Sequence, residues 1–210
     1  MGGRYIFAAT KTFSFQSGLF AFRAYWLIMG RRFVSIWFYH LLADWQIIRR
    51  PELKTLPFIF VLADHGRMMV TAVSELAAKA GVVMGMPAAD ARAICPGLEV
   101  LDDKAGRAEK LLRGLGEWCI RYSPIVSIDS FSMDGLLVDV SGCTHLWDGE
   151  RNYLIDINSR LKSKGYSVRC GIADTPGAAW AISRYGTRSQ ILPSGQSVSV
   201  LSELSPAALR

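Results

Sequence analysis

The stretch Asp134-Gly135-Leu136-Leu137-Val138-Asp139-Val140-Ser141-Gly142-Cys143-Thr144-His145-Leu146-Trp147-Asp148-Gly149-Glu150 decides the fold. Its stretch 136–140, apolar but for Asp139, reads as a β-strand, and Glu150 opens a helix over 150–162. Toward the N-terminus lie a strand at 126–129 and a helix at 105–120 with Leu111, Leu112 and Leu115 on one face. Before them comes a β-rich segment at 32–38. Toward the C-terminus, a strand at 167–172 is followed by a helix at 176–185. The order β-α-β-β-α-β predicts an α+β fold, a ferredoxin-like antiparallel sheet with helices on one face.

Between the first strand and the long helix lies an insertion. Residues 39–48 have helical character, and Pro51 follows them. Two apolar runs, 58–62 and 68–71, flank Ala63-Asp64-His65-Gly66-Arg67, whose Asp and Gly predict a hairpin turn. A short helix at 74–80 ends at Gly81, a residue suited to a left-handed cap. Pro87 opens another helix, which runs to Cys95 and is stopped by Pro96.

The composition is globular, with 50% hydrophobic and 20% charged residues and a net charge of +6. The positive balance suits a polyanionic partner without specifying one. Cys95, Cys119, Cys143 and Cys170 are dispersed and form no CxxC pair, as are His40, His65 and His145, which argues against structural zinc. Dispersed free thiols fit a reducing cytoplasm. The first 28 residues carry Arg4, Lys11 and Arg23, no acid and eight aromatics. Their longest apolar stretch is interrupted by Arg23 and too short to span a bilayer. A basic, acid-free tail is compatible with a targeting peptide, but Met29-Gly30-Arg31-Arg32-Phe33-Val34 also reads as a start, leaving 1–28 as an unassigned, non-folding extension.

Three blocks, in order, resemble the Y-family DNA polymerases. Val83-Met84-Gly85-Met86-Pro87 with Cys95-Pro96-Gly97-Leu98 is similar to that family's fingers segment. Leu137-Val138-Asp139-Val140-Ser141 is similar to its Leu-Asp-Val-Thr strand. Cys170-Gly171-Ile172-Ala173, leading to Ala178-Ala179-Trp180-Ala181-Ile182-Ser183, resembles the passage leaving its palm. The resemblance implies a palm at 29–40 and 103–173, inserted fingers at 41–102, and the start of a thumb at 174–210.

Polymerisation needs metal ions held by carboxylates, which activate the primer hydroxyl and clamp the triphosphate. Where the family's first metal-binding Asp is implied, this sequence has Trp37, whose indole cannot ligate Mg²⁺. The family's Asp-Glu pair falls on Asp134-Gly135 without a gap, or on Asp129-Ser130 with an insertion. Either alignment leaves one carboxylate at most, so Asp134 is a vestige and no catalytic, cofactor or metal site is expected. The family's triphosphate-binding Tyr and Arg match Glu75 and Ala78, and its later basic residues match Pro176 and Trp180.

The wording of 34–38 and 134–150 resembles most the family's non-catalytic ImuB branch. That resemblance implies an adaptor in error-prone translesion synthesis. Its implied partners are an error-prone replicative-type DNA polymerase, a RecA-like accessory protein and the sliding clamp, with weak DNA contact compatible with the charge. An active polymerase with an unusual metal site, or a gene fragment without stable function, are the alternatives. Four further readings come from the residues themselves. Cys143 and His145 lack a second ligand pair and read as structural. Asp134 and Asp139 lie five apart, so on one strand they would face opposite ways. Trp37, Phe38 and Tyr39 read as core aromatics before a base-stacking platform. Lys104, Arg107, Lys110 and Arg113 form a slanting basic stripe that reads as a solvated face.

Overall fold

A computed structural model of the protein describes residues 30–208 and the backbone of residues 5–7. In chain order the strands are β1 (Tyr5–Phe7), β2 (Phe33–Phe38), β3 (Phe58–Asp64), β4 (Arg67–Val73), β5 (Glu99–Asp102), β6 (Ile125–Ile128), β7 (Gly135–Asp139), β8 (Val168–Ala173) and β9 (Gln190–Ile191). The α-helices are α1 (Leu41–Arg49), α2 (Glu75–Lys79), α3 (Ala88–Ile94), α4 (Arg107–Cys119), α5 (Glu150–Ser163), α6 (Pro176–Tyr185) and α7 (Ser197–Ser202). The chain divides into two compact units, one of residues 1–37, 111–159 and 168–210, the other of 38–110 and 160–167.

The first unit holds a six-stranded sheet in the order β1-β6-β7-β2-β8-β9. Its inner four, β6-β7-β2-β8, have the ferredoxin-like strand order expected of β-α-β-β-α-β. β7 pairs antiparallel with both neighbours, through Val126↔Val138 on one side and Val34↔Val138 on the other. Two expectations need correction. β9 runs parallel to β8, so the sheet is mixed and not purely antiparallel. Nor are the helices confined to one face. Successive strand residues point to opposite faces, yet Val34, Ser35 and Ile36 are all buried, so β2 is covered on both sides. α6 covers the face carrying Ser35, whose Oγ lies 2.9 Å from Ser183 Oγ. Tyr5–Phe7 lie in the stretch read as a non-folding extension but pair with the edge strand β6, from Tyr5↔Ser127 to Phe7↔Ile125. The rest of 1–28, including Arg4, Lys11 and Arg23, lies outside the described residues.

The quoted run 134–150 owes its wording to packing. After β7, Cys143 leads into a 3-10 turn (Thr144–Trp147), and Asp148 (φ 56°) and Gly149 (φ 110°) turn left-handed to launch α5. Trp147 packs tilted against Tyr122 and edge-to-face against Tyr153, at centroid distances of 5.3 and 4.9 Å. Glu150 accepts two bonds from the Arg32 guanidinium, at 2.5 and 2.7 Å, and Asp174 a third at 2.7 Å, tying the start of β2 to the start of α5 and the end of β8.

In the second unit β3 and β4 form the expected hairpin. His65 (φ 46°) and Gly66 (φ 78°) supply the two positive φ angles that a tight two-residue turn requires. Ser74 caps α2 by accepting from the amides of Ala77 and Phe58. Pro87 stands at the N-cap of α3 and not inside its first turn. β5, absent from the sequence reading, pairs parallel with β3 from Phe58↔Glu99 to Val61↔Asp102. Ile59, Val61, Val70, Val73, Ala77 and Ala91 form this unit's core. Cys95, Cys119 and Cys170 are buried thiols that form no disulfide, and burial pushes the Cys119 thiol up to about 12.

Candidate functional site

Three elements of the six-stranded unit converge at the end of β2. Trp37 sits there, its backbone registered against Gly135 of β7. The turn at 129–135 is closed by Asp129 N donating to Gly135 O at 2.9 Å, so Asp129 and Asp134 flank the closure. α6 supplies Trp180 and, one helical turn later, Arg184 on the same face.

The side chains form one hydrogen-bonded cluster. Arg184 Nη2 donates to Asp134 Oδ1 at 2.5 Å and to Asp129 Oδ2 at 2.9 Å. The indole N–H of Trp37 donates to Asp134 Oδ2, and that of Trp180 to Asp129 Oδ2, both at 2.8 Å. The amide of Phe131 donates to Asp129 Oδ1 at 3.2 Å. Arg184 lies over the Trp180 ring at 4.6 Å, and Arg169 over the Trp37 ring at 4.9 Å. Arg169 is itself held by the carbonyls of Ser183 and Arg184. The Arg184 and Asp129 side chains are 8% and 5% exposed, so their ion pair is shielded from water, whereas Asp134 at 28% is partly wet.

Gly135 makes this approach possible. A Cβ there would stand 2.9 Å from Arg184 Nη2 and 3.0 Å from the carbonyl of Ile36. No room exists for both a side chain and the guanidinium.

The donor set does not fit the metal ions that the fold implies. Mg²⁺ requires near-octahedral oxygen ligation and keeps several waters. Here the two carboxylates are bridged by a guanidinium nitrogen, and the third ligand position carries the apolar ring of Trp37. Among the described residues no group of three or more His, Cys, Asp or Glu is placed to hold a metal ion. The cluster balances two carboxylates against Arg169 and Arg184, leaving no excess positive charge for a triphosphate.

The sequence allowed one carboxylate here at most; the structure brings Asp129 and Asp134 together. Asp134 lies in the turn, while Asp139 ends β7, where its Oδ1 accepts from the Ser141 amide at 3.0 Å and its Oδ2 lies 4.0 Å from Arg31. Glu75 and Ala78 are exposed on α2, and Glu75 pairs with Lys79 at 2.7 Å. Pro176 occupies the first turn of α6. Phe38 is buried against Tyr166, so of the three aromatics only Tyr39 is substantially exposed. Arg107 pairs with Asp103 at 3.3 Å and lies over Trp45 and Phe60, which takes it out of any phosphate-tracking stripe. Lys104 precedes α4 and is not on the helix. Sequence reasoning missed Arg184 and Arg169. Arg184 was legible only as the residue four after Trp180, a spacing that places both on one helical face.

A β-α-β-β-α-β sheet with carboxylates gathered at one end, an inserted hairpin lobe and a cation locked between the carboxylates defines a polymerase-type palm closed to metal. The chain belongs to the impB/mucB/samB family, whose model matches residues 36–184. It is 43% identical to Protein ImuB of Caulobacter vibrioides over 130 residues, covering 62% of this chain and 28% of that protein. It is 31% identical to DNA polymerase IV 2 of Mesorhizobium japonicum over 115 residues, 52% of this chain and 26% of that one. Its fold matches the crystal structure of DinB from Sulfolobus solfataricus with a TM-score of 0.68, and a post-insertion binary complex of Dbh DNA polymerase with 0.71. Both are 18% identical, cover 85% of this chain and are matched over 53% of their own. The fold is thus that of the Y-family palm and fingers region, and the chain spans little more than a quarter of the curated relatives. No helix among the described residues is long and apolar enough to cross a membrane.

Proposed function

We propose that the protein is a non-catalytic, ImuB-like component of error-prone DNA repair and translesion synthesis, acting as an adaptor. The observation that carries this reading is the Arg184 bridge between Asp129 and Asp134, with Trp37 donating where a third carboxylate would be needed. Two carboxylates fixed on the Arg184 guanidinium, with Arg169 over the adjoining Trp37 ring as the second cation, form a charge-balanced assembly, not a site awaiting a metal ion. The similarity to Protein ImuB supports placing it with that branch. The partners proposed on this basis are an error-prone replicative-type DNA polymerase, a RecA-like accessory protein and the sliding clamp. DNA contact is subsidiary.

Primer extension with Mg²⁺ or Mn²⁺ tests the reading. No template-directed addition is expected from the purified protein. Nucleotide addition that disappears on Asp134→Ala would overturn it. Co-purification with each proposed partner tests the adaptor half separately.

A further inference from the structure

In the second unit, a groove of about 610 Å³ runs beside α1. Large apolar side chains line it while remaining open to water: Tyr39 is 42% exposed, Ile48 45%, Leu56 43% and Leu76 39%. Isolated exposed apolar residues are ordinary, but four in one concavity are not. Ala43 and Ile47, one turn apart on α1, and the buried Leu53 complete its apolar lining.

The polar groups of the groove are arranged differently from those of a small-molecule site. Asp44 accepts from the Ser167 amide at 2.5 Å and from its hydroxyl at 3.3 Å. The Ser74 hydroxyl is engaged by the amides of Phe58 and Ala77. The remaining charged lining residues are exposed: Lys79 is paired with Glu75, but Lys54 and Lys162 have no ion-pair partner among the described residues. Apolar walls between two unpaired lysines match a segment with apolar residues on one side and acids on the other. A phosphate backbone would instead call for a basic floor, and this one carries Asp44.

We infer that this groove docks an acidic amphipathic helix from a partner protein. Its apolar anchors, spaced i, i+3, i+4 and i+7, would lie against Ile48, Leu56 and Leu76, with its acids reaching Lys54 and Lys162. The inference rests on the adaptor reading for its biological sense, whereas its test does not. Primer extension decides the former, and peptide binding by the purified chain decides the latter.

The probe is a fluorescent synthetic helix with leucines at those spacings and glutamates opposite. Its controls are a scrambled peptide of the same composition, a lysine-for-glutamate version and a single-stranded oligonucleotide. Saturable anisotropy is expected with the acidic helix alone, weakening between about 50 and about 200 mM salt. Leu76→Glu and Leu56→Glu should each weaken binding about tenfold or more, a loss typical of an anchor position. Thermal melts check that both variants remain folded. The charge-reversed variant Lys54→Glu/Lys162→Glu leaves the apolar wall intact and should shift preference toward the lysine peptide. Arg92→Glu, outside the groove, should change nothing. Equal binding of the scrambled peptide, competition by the oligonucleotide, or no binding of the acidic helix would each overturn the proposal.

Discussion

Replacing Arg184 by Met tests whether the guanidinium holds the site together. Met keeps an unbranched stem of similar length and removes only the charge and its donors. Two carboxylates then lose their common cation. Asp129, 5% exposed, has little water to turn to, whereas Asp134, 28% exposed, can partly rehydrate. Removing one partner of a buried pair costs about 3–5 kcal/mol, and most of it falls here on Asp129. Total stability for a domain is about 5–15 kcal/mol, so the loss is large. For a chain of this size each kcal/mol is about 2–4 °C, which places the melting temperature of Arg184→Met about 6–20 °C below the parent. The assay is a thermal scan by circular dichroism at one protein concentration and pH 7. A second comparison removes the charges on both sides. In Arg184→Met/Asp129→Asn/Asp134→Asn the amide oxygens still accept from Trp37 and Trp180, no buried carboxylate remains, and Arg169 keeps its bonds to the carbonyls of residues 183 and 184. That variant should recover more than half of the lost melting temperature. If Arg184→Met melts within about 2 °C of the parent, or if the triple variant melts lower than the single one, the guanidinium is not what balances the site.

Other positions give independent checks. Gly135→Ala places a methyl group against Arg184 Nη2 and the Ile36 carbonyl, and should cost about 1–3 kcal/mol in denaturant titration. Trp37→Asp alone should gain no Mn²⁺-dependent stabilisation, because Arg184 still holds Asp129 and Asp134. Trp37→Asp/Arg184→Met should gain it, read as a rise in melting temperature on adding Mn²⁺. Burial raises the Asp44 carboxyl against the opposing bonds from Ser167. A carboxyl raised on folding contributes stability below its unfolded value and loses it as pH climbs through the folded one. Asp44→Asn should therefore gain on the parent as pH rises from acid to neutral, in melts run across that range. Native Cys119, buried and shifted upward, should resist iodoacetamide at pH 8 and react only after unfolding, as followed by mass spectrometry.

Much of the fold was legible because local chemistry and tertiary structure agree. The run 136–140 is apolar but for Asp139, carries two valines, and sits between two partners at the middle of the sheet. His65-Gly66 supplies the φ angles of a tight hairpin, and Ser74 is a capping residue used as a cap. What escaped depends on pairing that no local pattern reports. β5 has three half-exposed residues and one exposed, with no clean alternation, and becomes a strand only because β3 lies parallel beside it. β9 has two residues and exists by virtue of β8. The helix on the second face of β2 was hidden similarly: Val34, Ser35 and Ile36 alternate in polarity as a one-sided sheet would, yet Ser35 is buried by bonding to Ser183.

The site divides along the same line. The loss of carboxylates at Trp37 and at 134–135 could be read residue by residue, but what replaced them could not. Aligning the Asp-Glu pair on Asp134 or on Asp129 treated the two as exclusive, since an alignment is linear. The turn at 129–135 folds them onto one cation. This replacement bears on whether the chain is a decaying remnant. A palm that merely lost its metal ligands would retain buried acids without partners, each costing several kcal/mol. Here the acids that remain are bridged by Arg184, and both indoles of the cluster donate to them. Among the described residues one buried side-chain polar atom, Ser197 Oγ, lacks a partner, and it lies far along the chain in α7. Such complete satisfaction requires concerted choices at Trp37, Gly135, Trp180 and Arg184, and random drift would not supply them together. That satisfaction favours the proposed scaffold reading over that of a decaying remnant.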